Sequence, residues 1–386
     1  MSWPMVKLGE HISVLSGFAF KSSLFGTEGM PLVRIRDVVP GYTNTYYSGE
    51  YSPEYIVQQG DLLVGLDGDF NRALWKSGAA LLNQRVCKLI ANETTLDGRY
   101  LYHLLPRELD FIHQNTPAVT VKHLSVKKIK DIEIPLPPLD EQKRIAAILD
   151  KADAIRQKRK QAIALADEFL RSVFLEMFGD PVTNPKGWEK RELGQLLSSI
   201  DSGKSPKCES REAADREWGV LKLSAVTYGE YRSGENKAFL GDPTLIEKYE
   251  VKKGDLLFTR KNTHKLVAAV SYVFETEEKR VLPDLIFRLN VSDEESLNKL
   301  YLFSLLAYPS QRKEIQALAG GAAGSMPNIS KANLSLVQIP IPPIELQRNF
   351  AEVVNAYRKV FSKLTMHTEI EGLFEALSQN AFSGQL

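Results

Sequence analysis

The stretch IPLPPLDEQKRI (residues 134–145) returns 205 positions later as IPIPPIELQRNF (residues 339–350). Paired prolines hold the backbone extended and push the preceding residue out of the helical region, so each copy reads as an extended lead into a helix. In the first copy Asp140 is expected as the N-cap, with Glu141 favoured by the positive end of the helix dipole. Apolar residues then recur at Ile145, Ile148, Ala152, Ile155, Ala162, Ala166, Phe169, Val173 and Met177. That spacing, about 3.5 residues per turn, predicts one helical seam that Gly179 and Pro181 bring to a stop. The second copy repeats the pattern with Phe350, Val353, Tyr357, Val360, Leu364, Ile370, Phe374 and Leu377.

The repeat extends upstream. Trp3, Leu8 and Gly9 fall onto Trp188, Leu193 and Gly194 at an offset of 185. QGDLLV (59–64) then meets KGDLLF (253–258), YLYHLL (100–105) meets YLFSLL (301–306), and KHLS (122–125) meets PNIS (327–330). The offset grows along the chain, so the second copy carries longer loops on a shared scaffold. This divides the chain into a first domain (1–139), a helix (140–180), a second domain (181–343) and a second helix (344–386). Each seam has little to bury itself against alone. Two rods of roughly 58 Å, at ~1.5 Å per residue, most simply pack antiparallel. The fold class expected is mixed α/β (α+β): two pseudo-repeated domains on a pair of long helices forming an antiparallel coiled coil, with approximate twofold symmetry.

Within the first domain, LGEHISVLSG (8–17) reads as an opening helical turn ending at Gly17. PLVRIRDV (31–38), DLLVGLDG (61–68), RVCKLI (85–90) and IKDIEIPL (129–136) read as strands. DGRYLYHLLPRELDFIHQ (97–114) reads as a helix starting near Asp97. Cys87 aligns with Phe287 and is expected to be a core thiol.

Composition sets the outer limits. The chain has 386 residues, a net charge of +1, two cysteines and six histidines. The length implies more than one core. Two cysteines make no disulfide framework, no apolar run reaches membrane-spanning length, and MSWPMVKLGE lacks the features of a signal peptide, so a cytoplasmic location and no membrane partner are expected. Near-neutral charge argues mildly against a protein that coats nucleic acid, without excluding local basic surfaces. No Asn-Pro-Pro-aromatic motif or Gly-x-x-x-x-Gly-Lys-Ser/Thr loop is present. NPKGW (184–188) lacks the second proline, and GGAAGS (320–325), expected to be a mobile loop, lacks the lysine. The histidines have no metal-ligand spacing.

PLPPLDEQKRIAAIL (135–149) and PIPPIELQRNFAEVV (340–354) resemble the conserved regions of the specificity subunit of type I restriction-modification systems. WPMVKLGEHISVLSG (3–17), WEKRELGQLLSSIDSGKSP (188–206) and the two GDLL elements resemble its target recognition domains. The second copy departs from the first with Leu346 and Asn349 in place of Glu141 and Arg144. The resemblance implies a non-catalytic subunit whose two domains read a bipartite, asymmetric target in double-stranded DNA while the helices fix the gap. It also implies docking of two methyltransferase (M) subunits, with restriction/translocase (R) subunits completing the assembly. No catalytic residue, metal or cofactor is expected in this chain. S-adenosylmethionine, ATP and Mg are expected on the partners, with the target adenines flipped out for methylation.

Two readers on one scaffold should differ where they touch bases, and should offer Arg, Lys, Asn or Gln there. In the first domain this selects Lys21, Arg34, Arg36, Asn71, Arg72, Lys76, Lys122 and His123. Asp67 and Asp69 either accept from a cytosine amino group or form turns beside glycine. The second domain offers Lys204, Lys207, Lys222, Tyr228, Arg260, Lys261, Asn262 and His264. Its TRKNTHK loop (259–265) sits where GLDGDFNR (65–72) does in the first, and Asn328 falls opposite His123. RQKRK (156–160) is either the solvated side of the coiled coil or a phosphate contact. Two other classes remain: a protein-interaction scaffold with two α/β heads, and a nuclease or methyltransferase with an unrecognised site.

Overall fold

Buried and exposed residues mix along Ile12–Ser16 and Val86–Ala91, as in strands with one face toward a core, whereas Leu62–Gly65 is buried at every position, as a strand covered on both faces is. A computed structural model of the chain describes residues 3–116, 122–320, 326–364 and 367–386, and their side chains other than those of residues 167, 360–364 and 367–371. Most of the GGAAGS segment, residues 321–325, lies outside the described residues. The chain divides into two units, Met1–Lys160 with Met366–Leu386, and Gln161–Thr365.

The first unit holds an antiparallel sheet ordered Ile12–Ser16, Val86–Ala91, Leu62–Gly65, Arg72–Leu74. A five-stranded sheet lies in the same unit, with Met30–Val33 running parallel to Ala80–Leu82. Helix Gly98–Asn115 starts where expected: the Asp97 carboxylate accepts from the backbone N–H of Arg99 and of Tyr100, each at 2.9 Å. Cys87 is fully buried, and burial pushes its thiol up to about 12.

Three local expectations are corrected. Residues 8–17 make a single 3₁₀ turn (Leu8–Glu10) and then a strand, because Ile12 and Val14 follow the period-two pattern of β-structure. The segment 129–136 is a strand only over Glu133–Pro135. Before it, Ser125 accepts from Lys128 N–H and caps a short helix, Val126–Lys130. Asp140 is not a cap: the long helix starts at Leu139, and the Pro138 carbonyl accepts from Glu141 and Gln142 N–H at 2.9 and 3.0 Å.

The second unit repeats the arrangement. Its sheet is ordered Leu197–Ser202, Ile286–Val291, Leu256–Thr259, Val270–Tyr272, and a three-stranded sheet contains Asn236–Phe239, Trp218–Leu221 and Arg280–Val281. The long helix ends as expected at Phe178, where Gly179 takes φ +76° and donates to the Leu175 carbonyl.

Each long helix is locked to its own domain by a buried glutamine in its first turn. Gln142 accepts from Asp97 N–H at 2.8 Å and donates to the carbonyls of Thr95 and Pro137 at 3.0 and 2.8 Å. Gln347 accepts from Asn298 N–H at 2.9 Å and donates to the carbonyls of Ser296 and Pro342 at 3.3 and 2.8 Å. Both are fully buried and use the side chain's donor and acceptor together, the condition under which a buried amide is stabilising.

Within the first unit, Ile145 and Leu149 share a core with Ala381 and Phe382 of helix His367–Ser383, while Arg156 covers the Phe374 ring at 4.6 Å. The two segments therefore run in opposite directions. Leu377 packs on the same core. Within the second unit, Phe174 and Phe178 meet Phe350 at 5.5 and 5.4 Å, with Val173 against the same cluster. Ile148, Ala152, Val353 and Tyr357 are half-buried. Ile155 and Phe169 do not lie on the buried line, being 62% and 55% exposed. The line instead steps from Ile145 to Leu149 and from Phe174 to Phe178, one helical turn each, a phase that the first apolar run obscures. The side chains of Val360 and Leu364 lie outside the described residues.

Candidate functional site

The segments after the two GDLL strands are held by the same backbone hydrogen bonds in both units. In the first, Leu66 N–H donates to the Arg85 carbonyl at 2.9 Å, and the Leu66 carbonyl accepts from Leu124 N–H at 2.7 Å. In the second, Arg260 N–H donates to the Leu285 carbonyl at 3.1 Å, and the Arg260 carbonyl accepts from Ile329 N–H at 2.8 Å. An isolated antiparallel bridge joins the next residue to the segment before the short helix: Asp67 to His123, and Lys261 to Asn328. Four positions thus correspond pairwise: Leu66 with Arg260, Asp67 with Lys261, Arg85 with Leu285, and His123 with Asn328. Their backbones agree and their side chains do not.

The frame depends on two glycines. A Cβ at Gly17 would stand 2.1 Å from the Asn83 carbonyl oxygen, and one at Gly203 would stand 1.7 Å from that of Leu282. Only glycine lets the chain pass so close, with Gly17 N–H donating to Val86 and Gly203 N–H to Pro283.

In the first unit Asp67 accepts from His123 Nδ1 at 2.7 Å and pairs with Arg85 at 3.2 Å, giving an anion held between two half-exposed basic groups. Lys122 is not free beside them: its ammonium donates to the His113 carbonyl and caps helix Gly98–Asn115. Arg72 departs most from expectation. It belongs to strand Arg72–Leu74, and its guanidinium lies over the Tyr102 ring at 4.0 Å. Burial lowers its proton affinity, with Tyr102 and Asp153 opposing, and its Nε has no hydrogen-bond partner. Arg72 supports the domain from within. Asn71, Lys21 and Lys76 are exposed. Arg34 lies 5.9 Å over the Phe25 ring, and Arg36 donates to Thr45 Oγ1 at 3.2 Å.

In the second unit Arg260 and Asn328 meet directly, Nε donating to Oδ1 at 3.0 Å. With Lys261, Asp284, Gly320, Met326, Ser330 and Asn333 they line an open cleft of about 550 Å³. Asn262 is only 6% exposed; it donates to Thr227 Oγ1 at 3.2 Å and accepts from Thr263 N–H at 2.8 Å, so it shapes the turn rather than facing outward. Lys222 pairs with Glu235 at 3.6 Å. Lys204, Lys207 and His264 are exposed, as is Tyr228, with Arg232 over its ring at 5.6 Å.

The structure therefore brings together Asp67 with His123, and Arg260 and Lys261 with Asn328, and leaves the other candidates dispersed. Arg85 and Asp284 were missed by the sequence reading. Arg85 had a signal, since it differs from Leu285 one residue before matching strands. Among the described residues no group of three or more His, Cys, Asp or Glu side chains is placed to hold a metal ion.

The sequence pattern of one family, described as the type I restriction modification DNA specificity domain, matches residues 2–165 and 185–372. The chain is 46% identical over 421 aligned residues to the type I restriction enzyme EcoBI specificity subunit of Escherichia coli, covering 100% of this chain and 86% of that protein. It is 25% identical to the MjaVIII specificity subunit of Methanocaldococcus jannaschii, covering 91% and 84% respectively. The crystal structure of a type I restriction-modification S subunit from M. genitalium superposes with a TM-score of 0.66 at 14% identity, covering 99% of this chain and 96% of that one.

Proposed function

The chain belongs to the type I restriction modification DNA specificity family, and from that membership we propose that its two domains each read one half of a divided target in double-stranded DNA. One observation carries the reading: two recognition frames share their backbone hydrogen bonds yet present Leu66, Asp67, Arg85 and His123 in one unit and Arg260, Lys261, Leu285 and Asn328 in the other. A shared fold with unlike side chains at the reading edge is what two different half-sites require.

The finer parts of the proposal concern assembly. The long helices pair as an antiparallel coiled coil with approximate twofold symmetry and fix the gap between half-sites. The opposed segments Ile145–Arg156 and Phe374–Phe382 in one unit support this, as do Phe174 and Phe178 on Phe350 in the other. Two methyltransferase subunits dock on this chain, and restriction/translocase subunits join them. S-adenosylmethionine, ATP and Mg belong to those partners, which carry the adenine methylation and the ATP-dependent cleavage. The chain works in the cytoplasm. Among the described residues no helix is long and apolar enough to cross a membrane.

Inserting one heptad into both helices at matched points tests the spacer. The required gap should lengthen by about three base pairs, at ~1.5 Å per residue and ~3.4 Å per base pair. An unchanged gap in an active complex refutes that role.

A further inference from the structure

We infer that Arg260 reads a guanine in the half-site of the second domain, and that Asn328 is the positioning residue that aims it. The inference rests on the DNA-reading function proposed above.

Three observations carry it. First, the guanidinium is already oriented. Nε is spent on Asn328 Oδ1 at 3.0 Å, Nη1 reaches the Asp284 carbonyl at 3.5 Å, and Cζ lies 5.2 Å from the centre of the buried Phe287 ring. Second, those contacts leave the Nη2 donors and one Nη1 hydrogen at the end of the fork, within a half-buried side chain lining the cleft. The major-groove edge of guanine presents two adjacent acceptors, O6 and N7, and a planar fork fits that pair. A guanidinium held in place before binding loses little freedom on contact, whereas a surface arginine serving phosphate needs no such clamp. Third, the equivalent position in the first unit is Leu66, which is buried and has no donor, so the preference belongs to one half-site only.

Lys331 strengthens the case. Its ammonium lies 5.7 Å over the same Phe287 ring, and Lys261 lines the cleft beside Arg260, so further positive charge there favours the electronegative edge of guanine over the amino group of adenine or cytosine. Asp284 meets Arg260 through its backbone carbonyl, while its carboxylate accepts from the Ser205 hydroxyl.

The test uses the full chain assembled with its methyltransferase partner and a library of duplexes randomised across both half-sites, selected for binding. The native complex should select two separated half-sites, one containing an invariant guanine that Arg260→Ala releases by about 10- to 100-fold, leaving the other half-site unchanged. Arg260→Lys keeps the charge but not the fork and should release the same base. Asn328→Ala should weaken that preference, and Asn328→Asp, which keeps an oxygen acceptor for Nε, should restore it. If Arg260→Ala fails to fold, 7-deazaguanine placed at the selected position decides with the native protein, since it removes N7 and should weaken binding about tenfold. Retention of the guanine by Arg260→Ala, or equal weakening on every sequence, overturns the inference while leaving the bipartite reading standing. Absence of guanine from both half-sites, or indifference to 7-deazaguanine, does the same. Failure to select any divided sequence overturns both.

Discussion

The ring of Phe382 meets that of Tyr100 at 5.4 Å between centroids, edge to face, and so closes the core of the first domain with a residue from the helix that follows the second domain in sequence. The second unit repeats the device, with Phe178 at 4.7 Å from Tyr301. Each tyrosine hydroxyl donates at 2.8 Å to the carbonyl of the proline that ends the last strand, Pro135 or Pro340. The first domain is thus not complete with its own consecutive sequence, which makes helix pairing and the stability of that domain one property.

Phe382→Ala should therefore destabilise the first domain by about 3–5 kcal/mol, and Phe178→Ala the second by a similar amount, although both residues lie in helices. Denaturant titration of each variant checks this. A change below about 1 kcal/mol would mean that the tyrosines are sealed by other contacts.

Removing a glutamine lock takes the side-chain partner from three backbone groups, one of them on a buried proline. Gln142→Ala and Gln347→Ala should each cost about 1–3 kcal/mol, and Gln→Glu should cost more because a carboxylate cannot donate to the two carbonyls. Amide exchange should show the loss at Asp97 or Asn298, the residue whose N–H each glutamine accepts.

Acid should weaken the first domain in two steps. His103 is buried against Asp150 at 2.7 Å; burial lowers its proton affinity and outweighs the carboxylate. Its folded pKa lies below the unfolded value of about 6.5, so its contribution is present above that pH and fades as pH falls through the folded value. Asp150 follows at lower pH. Burial opposes its ionisation, yet hydrogen bonds from Arg99 and His103 hold it below the ordinary carboxylate range. Thermal melts from pH 7 to pH 3 should fall in both ranges, and His103→Gln should remove the first fall only.

The two frames should act independently on DNA. Asp67→Ala should alter base preference in one half-site and Lys261→Ala in the other, as read by selection from randomised duplexes. Arg72→Ala should instead lower stability without changing any preference, because that guanidinium packs on Tyr102.

Much of this organisation was legible in the chain: the doubled proline lead, the Asp97 start, the Gly179 stop, and the correspondence of His123 with Asn328. Where the structure departs from the sequence expectation, the cause is shared. Arg72 and Asn262 lie in the loop segments that differ between the copies, but Arg72 begins a strand whose alternation turns it toward Tyr102, and Asn262 spends its amide inside the turn. Ile155 and Phe169 fit the 3.5-residue apolar spacing, while burial follows the four-residue steps Ile145–Leu149 and Phe174–Phe178. Gln142 and Gln347 were overlooked although the same residue stands five positions after the first proline of both pairs, since a polar residue in a helix reads as surface until its partners are known.

The most direct measurement is a genome-wide adenine methylation map in a host carrying this chain with its methyltransferase partner, repeated after the second domain is replaced by that of a relative. The account predicts a divided motif in which one half changes and the other half and the gap are kept. A single continuous motif, or a swap that alters both halves together, would contradict it.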